Sequence, residues 1–257
     1  MKQFKIAIDI SPTIDANSLR GVGFYTKRLV PALQQQIKKN LDYQNWTIDL
    51  VQQNNLDYQK YNLIHYPYFD PFKLSIPPKK IPTIITVHDL IPRQFKSHFP
   101  VGIKGEIKWQ IQKQRLKQTD YIITDSHSSK YSIHEITKYP LDKIYSIYLA
   151  ADKKFKPIPQ KSNLIKTKKK YNLPTKFVLY VGDINWNKNI PQLVKSCLAL
   201  NYPLVIVGSS ATKTDVPQHP WTKDLIWLQK KYAQLQKQNP KQQKLILTGY
   251  VDDQQLN

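Results

Sequence analysis

Cysteine is nearly absent from this 257-residue chain: Cys197 stands alone. That excludes a disulfide scaffold and any zinc site built on thiolates, and makes a reducing cytoplasm the simplest expected home. Arginine is almost as scarce, at positions 20, 28, 93 and 115. Arg is the side chain that forks onto phosphate and reads guanine edges, so no specific nucleic-acid partner is expected. Acids are few, 18 Asp and Glu against 39 Lys and Arg, for a net charge of +21. Nowhere does the chain approach the roughly 18 uninterrupted apolar residues of a membrane span. The first residues offer neither an apolar block nor a small-residue cleavage site, so no signal peptide is expected. What is present is 40% hydrophobic and 11% aromatic residues, enough for a real core and too much for wholesale disorder. The joint abundance of Lys, Ile, Asn, Gln and Tyr looks like compositional bias. Its Lys-rich surface reads mainly as a solvated one that attracts polyanions and anionic membrane faces without specificity.

Short apolar runs alternate with helical stretches. Strands are expected at 4–10, 46–51, 63–66, 83–87, 121–124 and 143–148, and helices at 22–39, 102–118 and 128–138. In the first helix Tyr25, Leu29, Leu33 and Ile37 recur every four positions. Such alternation predicts a mostly parallel sheet with helices on both faces. Around 152–170 the pattern lapses into the basic, Pro-bearing run Lys153-Lys-Phe-Lys-Pro-Ile-Pro-Gln-Lys161, which reads as a linker. Alternation then resumes, with strands at 177–181, 204–207 and 245–247 and helices at 189–200 and 221–238. The expected organisation is an α/β chain of two Rossmann-like domains, 1–155 and 173–257, joined by a linker at 156–172. A doubly wound sheet usually has about six strands. The second domain offers three before Asp252-Asp-Gln-Gln-Leu-Asn257, which reads as the capped first turn of a helix. The expectation is therefore an incomplete second domain belonging to a longer protein, the alternative being a short one completed by a partner.

Three segments could carry chemistry. Arg20-Gly-Val-Gly-Phe-Tyr25 follows the first strand and opens a helix, where glycines let backbone N–H groups approach an anion. It lacks the third glycine of a dinucleotide fingerprint, so a tight turn explains Gly21 and Gly23 equally well. Thr86-Val-His-Asp-Leu-Ile-Pro92 places His88 where a strand ends, and strand carboxyl ends line the ligand crevice of open α/β sheets. An imidazole there can donate to a sugar hydroxyl or to developing negative charge. The adjacent Asp89 could orient the ring, although neighbours on a strand point to opposite faces. In Tyr180-Val-Gly-Asp-Ile-Asn-Trp-Asn-Lys-Asn189, Gly182 permits a sharp turn and Lys188 sits at a helix start, placed to pair with a diphosphate. The six histidines show no metal-ligand spacing, and no Asp-x-Asp pair, nucleophile elbow or phosphate loop is present.

Together these segments resemble the family 4 glycosyltransferases, the retaining GT-B type. The resemblance rests on Gly21-Val-Gly-Phe-Tyr-Thr26, Val87-His-Asp-Leu-Ile-Pro92, Thr124-Asp-Ser-His-Ser-Ser-Lys130, Tyr148-Leu-Ala-Ala-Asp152, Tyr180-Val-Gly-Asp with Asn187-Lys-Asn189, and Leu247-Thr-Gly-Tyr-Val-Asp252. It spans essentially the whole chain. It implies an N-terminal acceptor domain and a C-terminal donor domain facing one cleft. It further implies transfer of a hexose, with mannose as the first guess, from a nucleoside-diphosphate sugar to a glycan or lipid-linked acceptor, without a metal or other cofactor. By the same resemblance His88 contacts the donor sugar, Lys188 and Gly182 serve the donor diphosphate, Gly21 and Gly23 line its phosphate side, and Ser126 lies nearby at a helix start. Two departures stand out. The family's usual Arg after the turn glycine is Asp183 here. Its pair of glutamates eight residues apart lies beyond Asn257, so donor binding is expected to be impaired.

Two other classes compete with the enzyme: a basic module for nucleic acid or anionic surfaces, and a catalytically inactive remnant. Separately, Ile103, Ile107 and Ile111 share one face of the 102–118 helix with Lys104, Lys108, Arg115 and Lys117 nearby. That fits peripheral contact with an anionic membrane, although a core-facing isoleucine stripe is the ordinary expectation.

Overall fold

A short apolar run closed by a polar residue, such as Phe4–Asp9, can bury both faces only inside a helix-covered sheet. That is where the computed structural model puts it. The structure describes residues 3–18, 20–53, 56–157, 161–238 and 244–256. The chain divides into two compact units, Met1–Lys96 with Val101–Ala150, and Ser97–Pro100 with Ala151–Asn257.

The first unit is a six-stranded parallel sheet of β1 (Phe4–Asp9), β2 (Trp46–Val51), β3 (Leu63–Tyr66), β4 (Thr83–Thr86), β5 (Tyr121–Thr124) and β6 (Ile144–Ser146). Its spatial order is β2-β1-β3-β4-β5-β6. Alternation along β1 divides the core. Ile6 and Ile8 pack with Val30 and Leu33 of α1 (Gly21–Lys39). Ala7 joins the opposite layer with Ile64, Ile85, Ile122, Trp109 of α3 (Gly102–Lys117) and Ile133 of α4 (His127–Thr137). A four-residue helix, α2 (Ile91–Gln94), follows β4.

Three sequence expectations change here. The buried side of α1 is Gly23, Thr26 and Val30, with Leu33 packed beside them, instead of the Tyr25–Ile37 series. The polar stretch 11–23, with Pro12, Gly21 and Gly23, reads as a loop from the sequence, yet both glycines belong to the first turn of that helix. The isoleucines of α3 do not face the core: Ile103, Ile107 and Ile111 are 82%, 56% and 38% exposed, while Gly105, Trp109, Gln112 and Leu116 are buried. At about 100° per residue the two stripes lie on opposite sides of the helix. Trp109 and Leu116 take the core side.

The second unit holds a parallel sheet of β7 (Val178–Val181), β8 (Leu204–Val207) and β9 (Leu245–Gly249), in that order, with α5 (Lys161–Lys170), α6 (Ile190–Ala199), α7 (Lys223–Gln238) and α8 (Asp253–Leu256). One face packs Leu204 and Ile206 on Ile190, Val194, Leu225 and Leu228. The other packs Val205 and Val207 on Val251, Tyr171, Leu173 and Leu256. At the edge, Leu179 and Val181 of β7 remain half exposed. The 156–172 segment, expected as a linker, carries α5, and its Tyr171 hydroxyl donates to Gln255; residues 158–160 lie outside the described residues. The terminal helix turn is capped by Asp252, whose carboxylate accepts from the N–H groups of Gln254 and Gln255; Asn257 lies outside the described residues.

Candidate functional site

In a parallel sheet every strand delivers its following loop to the same edge. At that edge of the first unit lie Asp9, Pro67, His88, Asp125 and Ser126, with the amino end of α1. His88 follows β4 and Asp125 follows β5, and these neighbouring strands bring together two residues 37 positions apart. The ring Nδ1 lies 2.7 Å from Asp125 Oδ2, and Nε2 lies 3.2 Å from the Pro67 carbonyl. The Tyr25 ring meets the imidazole edge-on at 4.9 Å. Asp89 takes no part in this. It accepts from the Ile91 N–H two residues on, in the turn that leads into the short helix after it.

Behind His88 runs a buried polar chain. Tyr25 shares a hydrogen bond with the Thr86 hydroxyl at 3.3 Å, and that hydroxyl with His65 Nε2 at 2.9 Å. His65 on β3 is fully enclosed. Burial first, and then the proximity of His88, holds its pKa down to about 4. Burial likewise pushes the Tyr25 phenol up. Asp9, at the end of β1, accepts from the N–H and hydroxyl of Ser11, yet burial outweighs both bonds and raises its carboxyl.

Ser126 is the N-cap of α4: its hydroxyl accepts from the Ser129 N–H at 3.1 Å. Gly21, the first residue of α1, is open around its Cα, and among the described residues no side chain caps that helix. Gly23 is enclosed: a Cβ there would meet Asn17 O at 2.3 Å and Pro12 O at 2.9 Å.

The second unit carries the other expected residues. Gly182 follows β7 with φ +149°, and a Cβ on Gly208, after β8, would lie 2.4 Å from its carbonyl oxygen. The chain then makes a tight turn, Trp186–Lys188, and enters α6 through Asn189 at φ +49°. Lys188 is exposed in that turn. Asn185 Oδ1 is buried with no hydrogen-bond partner among the described residues. Trp186 is stacked on His98 at 3.7 Å, and Trp221, which donates to the Pro100 carbonyl, meets Phe99 edge-on. This explains why Ser97–Pro100 groups with the second unit.

The structure thus brings His88 and Ser126 to the edge where α1 begins, and sets Gly182 and Lys188 in one turn of the second unit. Sequence reasoning missed Asp125, Asp9, His65 and Asn185. Asp9, Asp125 and His88 share one readable signal, a polar residue just after a short apolar run. Among the described residues no group of three or more His, Cys, Asp or Glu side chains is placed to hold a metal ion. No helix among them is long and apolar enough to cross a membrane.

The family model of Glycosyltransferase Family 4 matches residues 15–155. The serotype-specific mannosyltransferase WbdA of Escherichia coli is 27% identical over 197 residues, which is 73% of this chain and 22% of that protein. The chain therefore spans about a fifth of the length of the curated relatives it matches. Among solved structures, sucrose-phosphate synthase from Thermosynechococcus elongatus superposes with a TM-score of 0.62 at 15% identity, covering 99% of this chain and 72% of the other. Anabaena HepE in complex with UDP-glucose gives 0.57 at 13% identity, covering 99% and 71%. WaaG, a glycosyltransferase involved in lipopolysaccharide biosynthesis, gives 0.56 at 10%, covering 98% and 72%. These likenesses show the GT-B fold, and the family match over residues 15–155 makes the chain a member of glycosyltransferase family 4.

Proposed function

We propose that this glycosyltransferase moves a hexose, mannose before others, from a nucleoside-diphosphate sugar to a glycan or lipid-linked acceptor with retention of configuration. The observation that carries the reading is the oriented His88 at the carboxyl edge of the family-matched sheet. The mannosyltransferase relatives supply the sugar. In this reading His88 addresses the donor sugar, and Lys188 with the Gly182 turn addresses the diphosphate. The start of α1 at Gly21–Gly23 and the Ser126 cap border the phosphate side. As the bond from C1 to the phosphate oxygen breaks, the leaving diphosphate gains charge, which fixed cations and N–H dipoles stabilise. The acceptor oxygen bonds to C1 on the face the diphosphate leaves. Its proton passes to a diphosphate oxygen, so no metal is required.

Lys188→Ala is expected to weaken binding of GDP-mannose about tenfold, the effect of one charge-assisted phosphate contact. Titration calorimetry on the full chain measures this, and an unchanged dissociation constant removes Lys188 from the donor site.

The same reading places the chain at the cytoplasmic face of a membrane, where a lipid-linked acceptor resides. Support comes from α3, whose exposed isoleucine stripe is flanked by exposed Lys104, Lys108 and Lys117. Apolar side chains entering the headgroup boundary between lysines that meet anionic lipid would hold it there. Vesicles with 30% anionic lipid are expected to float the wild-type chain. Ile103→Ser with Ile107→Ser is expected to lower the vesicle partition constant about a hundredfold, given about 1.5 kcal/mol per buried Ile. Equal flotation of both proteins removes α3 as the contact.

A further inference from the structure

We infer that Asp125 is the positioning residue of His88: it pins the imidazole in one orientation with hydrogen on Nδ1, so that Nε2 is the atom presented to a ligand. The inference rests on the donor-sugar reading of His88 for its purpose, but its evidence is geometric.

At 2.7 Å the Nδ1–Asp125 bond has the length of a charge-assisted pair. A carboxylate offers only acceptors, so the hydrogen in that bond comes from the ring. The carboxylate in turn depends on the ring. Its other oxygen, Oδ1, is buried with no hydrogen-bond partner among the described residues, so the bond from the ring is what offsets the desolvation of this half-buried carboxylate. The nitrogen that carries the hydrogen is set by the bond the other nitrogen makes. Nε2 lies 3.2 Å from the Pro67 carbonyl; two acceptors form no bond, so with the hydrogen on Nδ1 the Nε2 lone pair is left for a sugar hydroxyl to donate to. Tyr25, edge-on at 4.9 Å, closes one remaining side of the ring. The alternatives for orienting it fail: Asp89 is committed to the Ile91 N–H, and His65 bonds Thr86.

Two-bond proton–nitrogen correlation spectra of the full chain, labelled on histidine, test this without ligand or activity. Wild-type His88 is expected to show a protonated Nδ1 at pH 8. Asp125→Ala is expected to lose the proton from Nδ1, with Nε2 carrying it against the Pro67 carbonyl. Asp125→Asn, whose amide oxygen still accepts, is expected to retain it. The inference is overturned if wild-type Nδ1 is unprotonated, or if Asp125→Ala leaves it protonated. Should Asp125→Ala fail to fold, the wild-type spectrum and Asp125→Asn decide: loss of the Nδ1 proton in the Asn variant also overturns it. GDP-mannose is then added to the wild type. A shift at Nε2 supports its role as the presented atom. With binding of GDP-mannose established by titration calorimetry, no shift at either ring nitrogen refutes that presentation and the donor-sugar reading, while the Nδ1 result stands on its own.

Discussion

Gly23→Ala is expected to cost the first unit about 3 kcal/mol, whereas Gly21→Ala, two residues earlier, should be neutral or stabilise it by up to about 0.5 kcal/mol. Both substitutions replace glycine by the best helix former in the first turn of one helix, so propensity favours each. They differ in what the new methyl meets. At Gly21 nothing lies within 4 Å. At Gly23 the methyl would sit 2.3 Å from Asn17 O, 2.9 Å from Pro12 O and 2.9 Å from Ser18 Cα. All three are backbone atoms, with no side-chain rotamer to absorb the clash. The 11–18 segment would have to leave α1, loosening the contacts that Ser11 makes with Asp9. Chemical denaturation of the three proteins decides. If Gly23→Ala keeps full stability and loses only nucleotide-sugar affinity, Gly23 serves ligand approach and not packing.

Acid should unfold the first unit through His65. In the folded chain the ring stays neutral down to about pH 4, whereas in the unfolded chain it accepts a proton near its ordinary value of about 6.5. Between those values the unfolded state binds more protons, so stability falls as the pH drops through the window and levels off below it. The separation corresponds to about 3 kcal/mol. Asp9 works in the opposite sense. Its raised carboxyl takes up a proton more readily in the folded chain, which offsets part of the loss. Comparison with His65→Gln isolates the histidine, since Gln can still bond Thr86 but does not titrate. The wild type is expected to lose about 2–3 kcal/mol more than the Gln variant between about pH 7.5 and about pH 4.5. Parallel pH dependences would show that the ring is not enclosed in solution as it is here.

Much of the site was legible as positions and little of it as partnerships. His88 was readable because a polar residue closing an apolar run falls at a strand's carboxyl end. Its partner was not: Asp89 is next in sequence, and Asp125 is 37 residues on. Only the pairing of β4 with β5 makes the distant carboxylate the near one. The isoleucines of α3 show the converse. Their four-residue spacing is real, but spacing cannot say which stripe of a helix faces inward. That was settled by Trp109 and Leu116 filling the layer beside Ile64, Ile85 and Ile122.

Local composition alone determined that the chain is two runs of parallel α/β structure, that its lone Cys197 supports neither a disulfide scaffold nor a thiolate-built zinc site, and that His88 and Lys188 stand at strand-to-helix connections. Those properties follow from short-range periodicity and from residue types, which any window of the chain contains. Tertiary structure decided which carboxylate holds the imidazole, why Gly23 is a glycine, and which face of α3 meets solvent. Each of these is a contact between segments far apart in the chain, and packing chooses among partners that sequence spacing leaves equivalent.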